Sequence, residues 1–169
     1  MVIYVDLDET LVKTSNFRAI TTHKDAVVID DVYSSVLRPG TRQFLKRLRK
    51  LTDKTYILTT GLSEFQRRVI YAHQIDDLID GLYGRDEYPK IRQNKFCLLI
   101  DDLPIDTMGV LLKLNAMGLN TDGDPDYGEL SKHYMNIEPF NGQGRNLKKF
   151  NMTGLEEKVR DLTARIKCS

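Results

Sequence analysis

The sequence predicts an α/β fold in which helices cover a parallel sheet, and three observations carry that reading. Short apolar runs alternate along the chain with segments of helical periodicity. The runs at residues 2–5, 55–58, 82–84 and 96–100 are apolar throughout or nearly so, as strands buried on both faces must be. The chain has 169 residues, 41% of them hydrophobic and 29% charged, which suits one compact unit over residues 1–169 and leaves no room for a second large domain.

Taken in order, the first run, Val2-Ile3-Tyr4-Val5, passes directly into the acidic segment that begins at Asp6. Residues 26–30 and 32–37 flank the Asp30-Asp31 pair and read as an inserted β-hairpin over 26–37. Pro39-Gly40 then breaks the chain. From Thr41, the residues Phe44, Leu45, Leu48 and Leu51 recur at helical spacing. Arg42, Lys46, Arg47, Arg49 and Lys50 fill other positions, as a solvated face or, in the sharper reading, as a face that attracts substrate. Ser63 and Gln66 have the spacing of a capping box ahead of Phe65, Val69, Ile70 and Ala72. Thr153 and Glu156 repeat the device before Leu155, Val159, Leu162 and Ile166. A run at 134–137 suits an edge strand, and residues 118–128 and 141–146 are polar loops.

Composition narrows the classes of partner. Lys and Arg number 25 against 24 Asp and Glu, a net charge of +1, so no global field draws the chain to nucleic acid or an anionic membrane. No run approaches the roughly 20 apolar residues that cross a bilayer, and the start lacks the basic and longer apolar stretches of a secretory signal. Cys97 and Cys168 are too few for a disulfide framework, which fits a soluble protein of the reducing cytoplasm.

Chemistry is concentrated in Asp6-Leu7-Asp8-Glu9-Thr10. A parallel sheet places ligand chemistry at the carboxyl ends of its strands, where this segment falls. In an extended segment Asp6 and Asp8 project to one side, and two carboxylates in one small volume need a cation. Magnesium, a hard ion with oxygen ligands, suits a carboxylate pair and a phosphate oxygen. The rival reading is an acidic loop entering a helix.

Two other strand ends add to the signal. The run at 56–58 leads into Thr59-Thr60-Gly61, a turn able to offer the Thr59 hydroxyl and backbone N–H groups to a phosphoryl oxygen. The run at 96–100 leads into Asp101-Asp102, further carboxylates at an equivalent position. The pair Asp30-Asp31 also follows an apolar run, but turn propensity explains it. A lysine should balance the charge of nucleophile and phosphate. Lys95 would start its strand about 20 Å from Asp101, at roughly 3.3 Å per residue, so Lys90 is chosen, with Arg85 in reserve. Asp122, Asp124 and Asp126 imitate a calcium loop, but Tyr127 stands where Gly is needed and His133 where Glu is needed. His23, His73 and His133 have no spacing that suits zinc or a nucleophilic triad.

In this order, Asp6-x-Asp8-x-Thr10, Thr59, Lys90 and Asp101-Asp102 resemble the haloacid dehalogenase superfamily over residues 2–104. The resemblance implies a Rossmann-like three-layer core and Mg²⁺ held among Asp6, Asp8, Asp101 and Asp102. It makes Asp6 the nucleophile that forms an aspartyl-phosphate and Asp8 the acid that protonates the leaving oxygen, then the base that deprotonates water. Thr59 and Lys90 assist as catalytic residues, and Thr10, Thr60 and Gly61 bind substrate. Asp8 points to a phosphatase, since dehalogenases lack a carboxylate there.

Asp6 to Val12, Leu37-Arg38-Pro39-Gly40-x-x-x-Phe44-Leu45 and Ile137-Glu138-Pro139-Phe140 are similar to the phosphatases that act on the RNA polymerase II C-terminal domain. Those enzymes usually have Thr-Ala-Ser in place of Thr59-Thr60-Gly61 and Asp-Asn in place of Asp101-Asp102, so the chemistry carries over and the substrate does not. Neither the gap from Thr10 to Tyr56 nor that from Gly61 to Lys90 holds a cap domain. An open site favours a phosphoprotein or nucleic-acid end. The alternatives are a small-nucleotide phosphatase, closed by the hairpin, and a binding module of the same fold without turnover.

Overall fold

The computed structural model describes residues 1–16 and 25–167; His23, Cys168 and the side chain of Ile166 lie outside the described set. In chain order the elements are β1 (Val2–Val5), β2 (Val12–Asn16), β3 (Val27–Val28), β4 (Tyr33–Leu37), α1 (Thr41–Leu51), β5 (Lys54–Leu58), α2 (Ser63–Ala72), β6 (Gly81–Tyr83), β7 (Cys97–Asp101), α3 (Met108–Ala116), α4 (Tyr127–Leu130), β8 (Tyr134–Asn136) and α5 (Met152–Lys167). Short 3-10 turns connect several of them, including Arg85–Lys90.

Five strands form one parallel sheet in the order β6-β5-β1-β7-β8. From β1 the chain builds first toward β5 and β6, then returns to place β7 and β8 on the other side. The order therefore reverses at β1, and the crevice at such a switch point lies over the carboxyl ends of β1, β5 and β7. Strand alternation divides the core. Ile3, Val5, Ile57, Leu98 and Ile100 face Phe44, Leu45 and Leu48 of α1, Val69 and Ile70 of α2, and Leu155, Val159 and Leu162 of α5. Tyr4, Leu58, Cys97 and Leu99 face Val110 and Leu114 of α3 and Leu130 of α4. Each fully buried Leu or Ile contributes roughly 1.5–3 kcal/mol, so the helical spacing read in α1 identifies the face that anchors it. Gly40 precedes α1 at φ +86°, a left-handed conformation that glycine adopts without strain.

The inserted hairpin is larger than expected in one direction and smaller in another. Asp30 Oδ1 accepts hydrogen bonds from the N–H groups of Val32 and Tyr33, 2.8 Å each, so the Asp30-Asp31 pair makes the turn. The arm before it is reduced to β3, and β4 pairs on its other side with β2, giving a three-stranded antiparallel sheet. Strand β2 reads Val-Lys-Thr-Ser-Asn, with no apolar alternation to announce it.

Neither capping box forms as spelled. Ser63 is the first residue of α2 after Leu62, and its N–H and hydroxyl donate to Asp86 at 2.9 and 2.6 Å. Asn151, not Thr153, caps α5, its Oδ1 accepting from Gly154 N at 2.9 Å. Two arginines of α1 are engaged near the amino end of the sheet: Arg42 donates to the Gln74 carbonyl, and Arg49 donates to the Asp77 carbonyl and lies near Asp80, which receives Thr55 N at the start of β5. Asp126 caps α4 through Glu129 N, a helix-start role rather than a calcium loop. His73 meets the Ser35 hydroxyl and His133 the Cys97 carbonyl, so both are bonded core histidines. No helix among the described residues is long and apolar enough to cross a membrane.

Candidate active site

Strand β1 delivers Asp6 directly into the crevice. Asp6 N donates to the Ile100 carbonyl at 2.9 Å, continuing the register of Val5 with Ile100. The chain then turns tightly. The N–H groups of Thr10, Leu11 and Val12 converge on the Leu7 carbonyl, and Glu9 adopts φ +63°. A positive φ in a residue other than Gly is uncommon and clusters at functional turns. The turn is fastened from behind: Glu9 O accepts from Phe140 N, and the buried Arg38 donates to the carbonyls of Thr10, Glu138 and Arg145 at 3.1, 2.7 and 2.8 Å.

Strand β7 brings Asp101 and Asp102 beside Asp6. Leu103 N donates to Asp101 Oδ1 at 3.0 Å, and Asn136 Nδ2 donates to the Asp101 and Leu103 carbonyls at 3.2 and 3.1 Å. The Tyr134 hydroxyl also meets the Leu103 carbonyl. Edge strand β8 thus fixes the loop that carries the second acidic pair.

The lysine that meets the acids is Lys113, and Lys90 lies elsewhere. Lys113 Nζ donates to Asp6 Oδ1 at 2.7 Å and to Asp101 Oδ2 at 2.6 Å, and the side chain is 3% exposed. Lys90 ends the Arg85–Lys90 turn with its side chain 73% exposed, 3.9 Å from Glu87. Arg85 contributes its backbone N–H to the Gly61 carbonyl. Tyr88 is the residue of this turn that reaches inward, donating to the Thr59 carbonyl at 2.9 Å. A signal for Lys113 did exist: Val110, Lys113 and Leu114 share one face of a helix, so the only charge in Met108–Ala116 falls on its buried side.

Thr10 is buried, and its hydroxyl lies 2.8 Å from Asp6 Oδ2 and 3.1 Å from Asp102 Oδ1. It therefore ties two carboxyl groups together from beneath the site, where the expectation had it among the substrate-binding residues. Asp8 does not join the cluster either. Its Oδ2 accepts from Gln66 Nε2 at 2.6 Å, and the acids whose oxygens converge within 4.8 Å are Asp6, Asp101 and Asp102. Thr59 is fully buried; its Oγ1 accepts from Gly61 N at 3.1 Å and lies 3.3 Å from Gln66 Nε2. Thr60 is exposed at the rim.

The electrostatics follow from three acids around one ammonium. Burial alone would lower the Lys113 pKa, but Asp6 and Asp101 outweigh it and hold the ammonium above the usual lysine range. Burial and then the Asp6 charge raise Asp101. Burial, the hydrogen bond and charge of Asp6, and then Asp101 push Asp102 up to about 8. Burial and Asp6 also raise Asp8, with Gln66 partly opposing them. The excess of acid is chemically matched to a divalent ion that prefers oxygen, and Asp6, Asp101 and Asp102 are the residues that could hold it.

A five-stranded parallel sheet with its acids at the switch point defines a haloacid dehalogenase-type phosphatase fold. The chain belongs to the NLI interacting factor-like phosphatases, whose family model matches residues 1–105. Among solved structures it is similar to a beryllium fluoride-bound variant of the fission yeast RNA polymerase II CTD phosphatase Fcp1, with 15% identity and a TM-score of 0.52 over 97% of this chain and 51% of that one. A second structure, of Fcp1 as an essential RNA polymerase II CTD phosphatase, gives 16% identity and a TM-score of 0.54 over 97% and 49%. The chain thus spans about half the length of these structures. No curated protein matches it in sequence.

Proposed function

We propose that the protein is a Mg²⁺-dependent phosphomonoesterase that acts on phosphoproteins through a phospho-Asp6 intermediate. The observation that carries this reading is the Asp6 carboxylate, clamped by Lys113 and Thr10 at the carboxyl end of β1 while Asp8 stands outside the acid cluster. Asp6 has one oxygen on Lys113 and the other on Thr10, an arrangement that holds an acceptor carboxylate in a fixed orientation.

An Asp6 oxygen forms a bond to phosphorus as the bond from phosphorus to the leaving oxygen breaks, and that oxygen takes its proton from Asp8. The Asp8 carboxylate then removes a proton from water, whose oxygen bonds to phosphorus as the bond to Asp6 breaks. Inorganic phosphate leaves, Asp6 is regenerated and Asp8 is protonated again. The raised pKa of Asp8 suits a group that begins as an acid. Thr59 and the N–H of Thr60 bind phosphoryl oxygens. Lys113 balances charge on Asp6 and Asp101. Asp6, Asp101 and Asp102 would hold Mg²⁺, which when bound would neutralise charge on the phosphate oxygens.

A phosphoprotein is preferred to a nucleic-acid end because Arg42 and Arg49 of α1 are engaged by Gln74, Asp77 and Asp80, near the amino end of the sheet rather than beside the acids. The solved relatives described as CTD phosphatases point the same way. We extend the proposal to a reducing, cytoplasmic setting, a reading supported by the buried free thiol of Cys97. The test is hydrolysis of a phosphoserine peptide with Mg²⁺ and trapping of a hydroxylamine-labile phosphoenzyme. Wild-type protein should show both and Asp6→Asn neither; equal turnover by the two proteins would overturn the proposal.

A further inference from the structure

Gln66 has the sequence position of a capping residue, yet its side chain turns into the site. It is 3% exposed, its Nε2 reaches Asp8 Oδ2 and Thr59 Oγ1, and its Oε1 has no hydrogen-bond partner. A buried amide with an orphan oxygen lowers stability, so an apolar side chain of the same size would serve the helix better. The 2.6 Å contact with Asp8 is what an amide supplies and an apolar group does not.

Gly61 gives the second, independent observation. Its φ lies outside the left-handed region, so the backbone does not call for glycine. A Cβ there would collide with Gln66 Nε2 and stand 3.0 Å from its Cδ and Cγ. The missing side chain at 61 is the space that the amide at 66 occupies, and the two positions are matched.

We propose that Gln66 is a positioning residue that holds one oxygen of Asp8 so that the other meets the leaving group, and that Gly61 makes room for it. This rests on the acid/base reading of Asp8 given above. Among the described residues no other side chain bonds to the Asp8 carboxyl. Removing the amide lets that carboxyl rotate away from the line of proton transfer while Asp6, Lys113 and Asp101 stay in place.

The consequence depends on the leaving group. An alkoxide leaving from phosphoserine must receive a proton, whereas dinitrophenolate leaves without one. For Gln66→Ala, kcat/KM on a phosphoserine peptide, which reports the steps up to formation of phospho-Asp6, should fall about tenfold or more, within the range of general acid catalysis. Its kcat/KM on 2,4-dinitrophenyl phosphate should fall by less than about threefold. On the phosphoserine peptide Gly61→Ala should lower kcat/KM by displacing the amide, and the double variant should be no worse there than Gln66→Ala alone. Gln66→Met, which keeps the volume, provides the comparison if Gln66→Ala does not fold.

Equal losses of kcat/KM on both substrates, or additive losses in the double variant on the phosphoserine peptide, would overturn the proposal by assigning Gln66 to packing. Asp8→Asn separates it from the reading beneath it. If Asp8→Asn shows the leaving-group dependence and Gln66→Ala does not, only the positioning role fails. If Asp8→Asn lacks it, both fail together.

Discussion

Lys113 shows how one side chain can decide a site. Its ammonium is buried between Asp6 and Asp101, and removing one partner of a buried ion pair leaves uncompensated charge costing about 3–5 kcal/mol. Lys113→Met should lower stability by about that amount and reduce kcat by roughly 100-fold or more. Lys90→Ala, at an exposed position beside Glu87, should leave kcat within about twofold, as steady-state kinetics on the two variants will show. His73 supplies a pH test. Burial depresses its pKa to about 4, from about 6.5 when unfolded, so the folded state resists a proton that the unfolded state accepts. Its contribution is complete above about pH 6.5 and is lost toward pH 4, up to about 3 kcal/mol. Asp102, with its raised pKa, works in the opposite sense. The measurement is therefore the difference between wild type and His73→Asn in urea denaturation, which should narrow by that amount on acidification from pH 7.

At the scale of elements, Arg38 joins three loops through carbonyl hydrogen bonds, with its guanidinium 5.9 Å from the Phe140 ring. Arg38→Met should cost about 3 kcal/mol by leaving buried carbonyls unpaired, and limited proteolysis should then cut within residues 138–147 before the rest of the chain. The motif around Arg38 was legible as a resemblance, but its role depends on loops about 100 residues later in the chain. Strands β1, β5, β7 and β8 and helix α1 were legible because burial on one or both faces writes itself into residue order. Strand β2 was not, since a polar segment becomes a strand only when β4 accepts it in register. The Ser63 and Gln66 pair reads as a local device, yet Asp86 and Asp8, both distant in sequence, take those side chains.

For the molecule as a whole, the order β6-β5-β1-β7-β8 brings acids some 95 residues apart to one crevice, where their mutual repulsion sets the response to metal. Below about pH 8 the Asp102 carboxyl carries a proton that a bound cation must displace. Mg²⁺ affinity should therefore rise with pH by up to about tenfold per unit below pH 8 and level off above it. The rise in Tm on adding Mg²⁺ should be larger at pH 8.5 than at pH 6.5, measurable by calorimetry without any substrate. In Asp102→Asn that pH dependence should flatten.

The sequence by itself determined the α/β class, the strand that delivers Asp6, the second acidic pair and the turn at Thr59, because each is a local pattern of burial ending in a polar or acidic residue. The tertiary structure decided which lysine meets the acids, which carboxyl stands apart, and what Thr10 and Gln66 bind. Those choices rest on contacts between segments far apart in the chain. Helical periodicity can assign Lys113 to a buried face, but only the packing of α3 against β7 brings that face to Asp6.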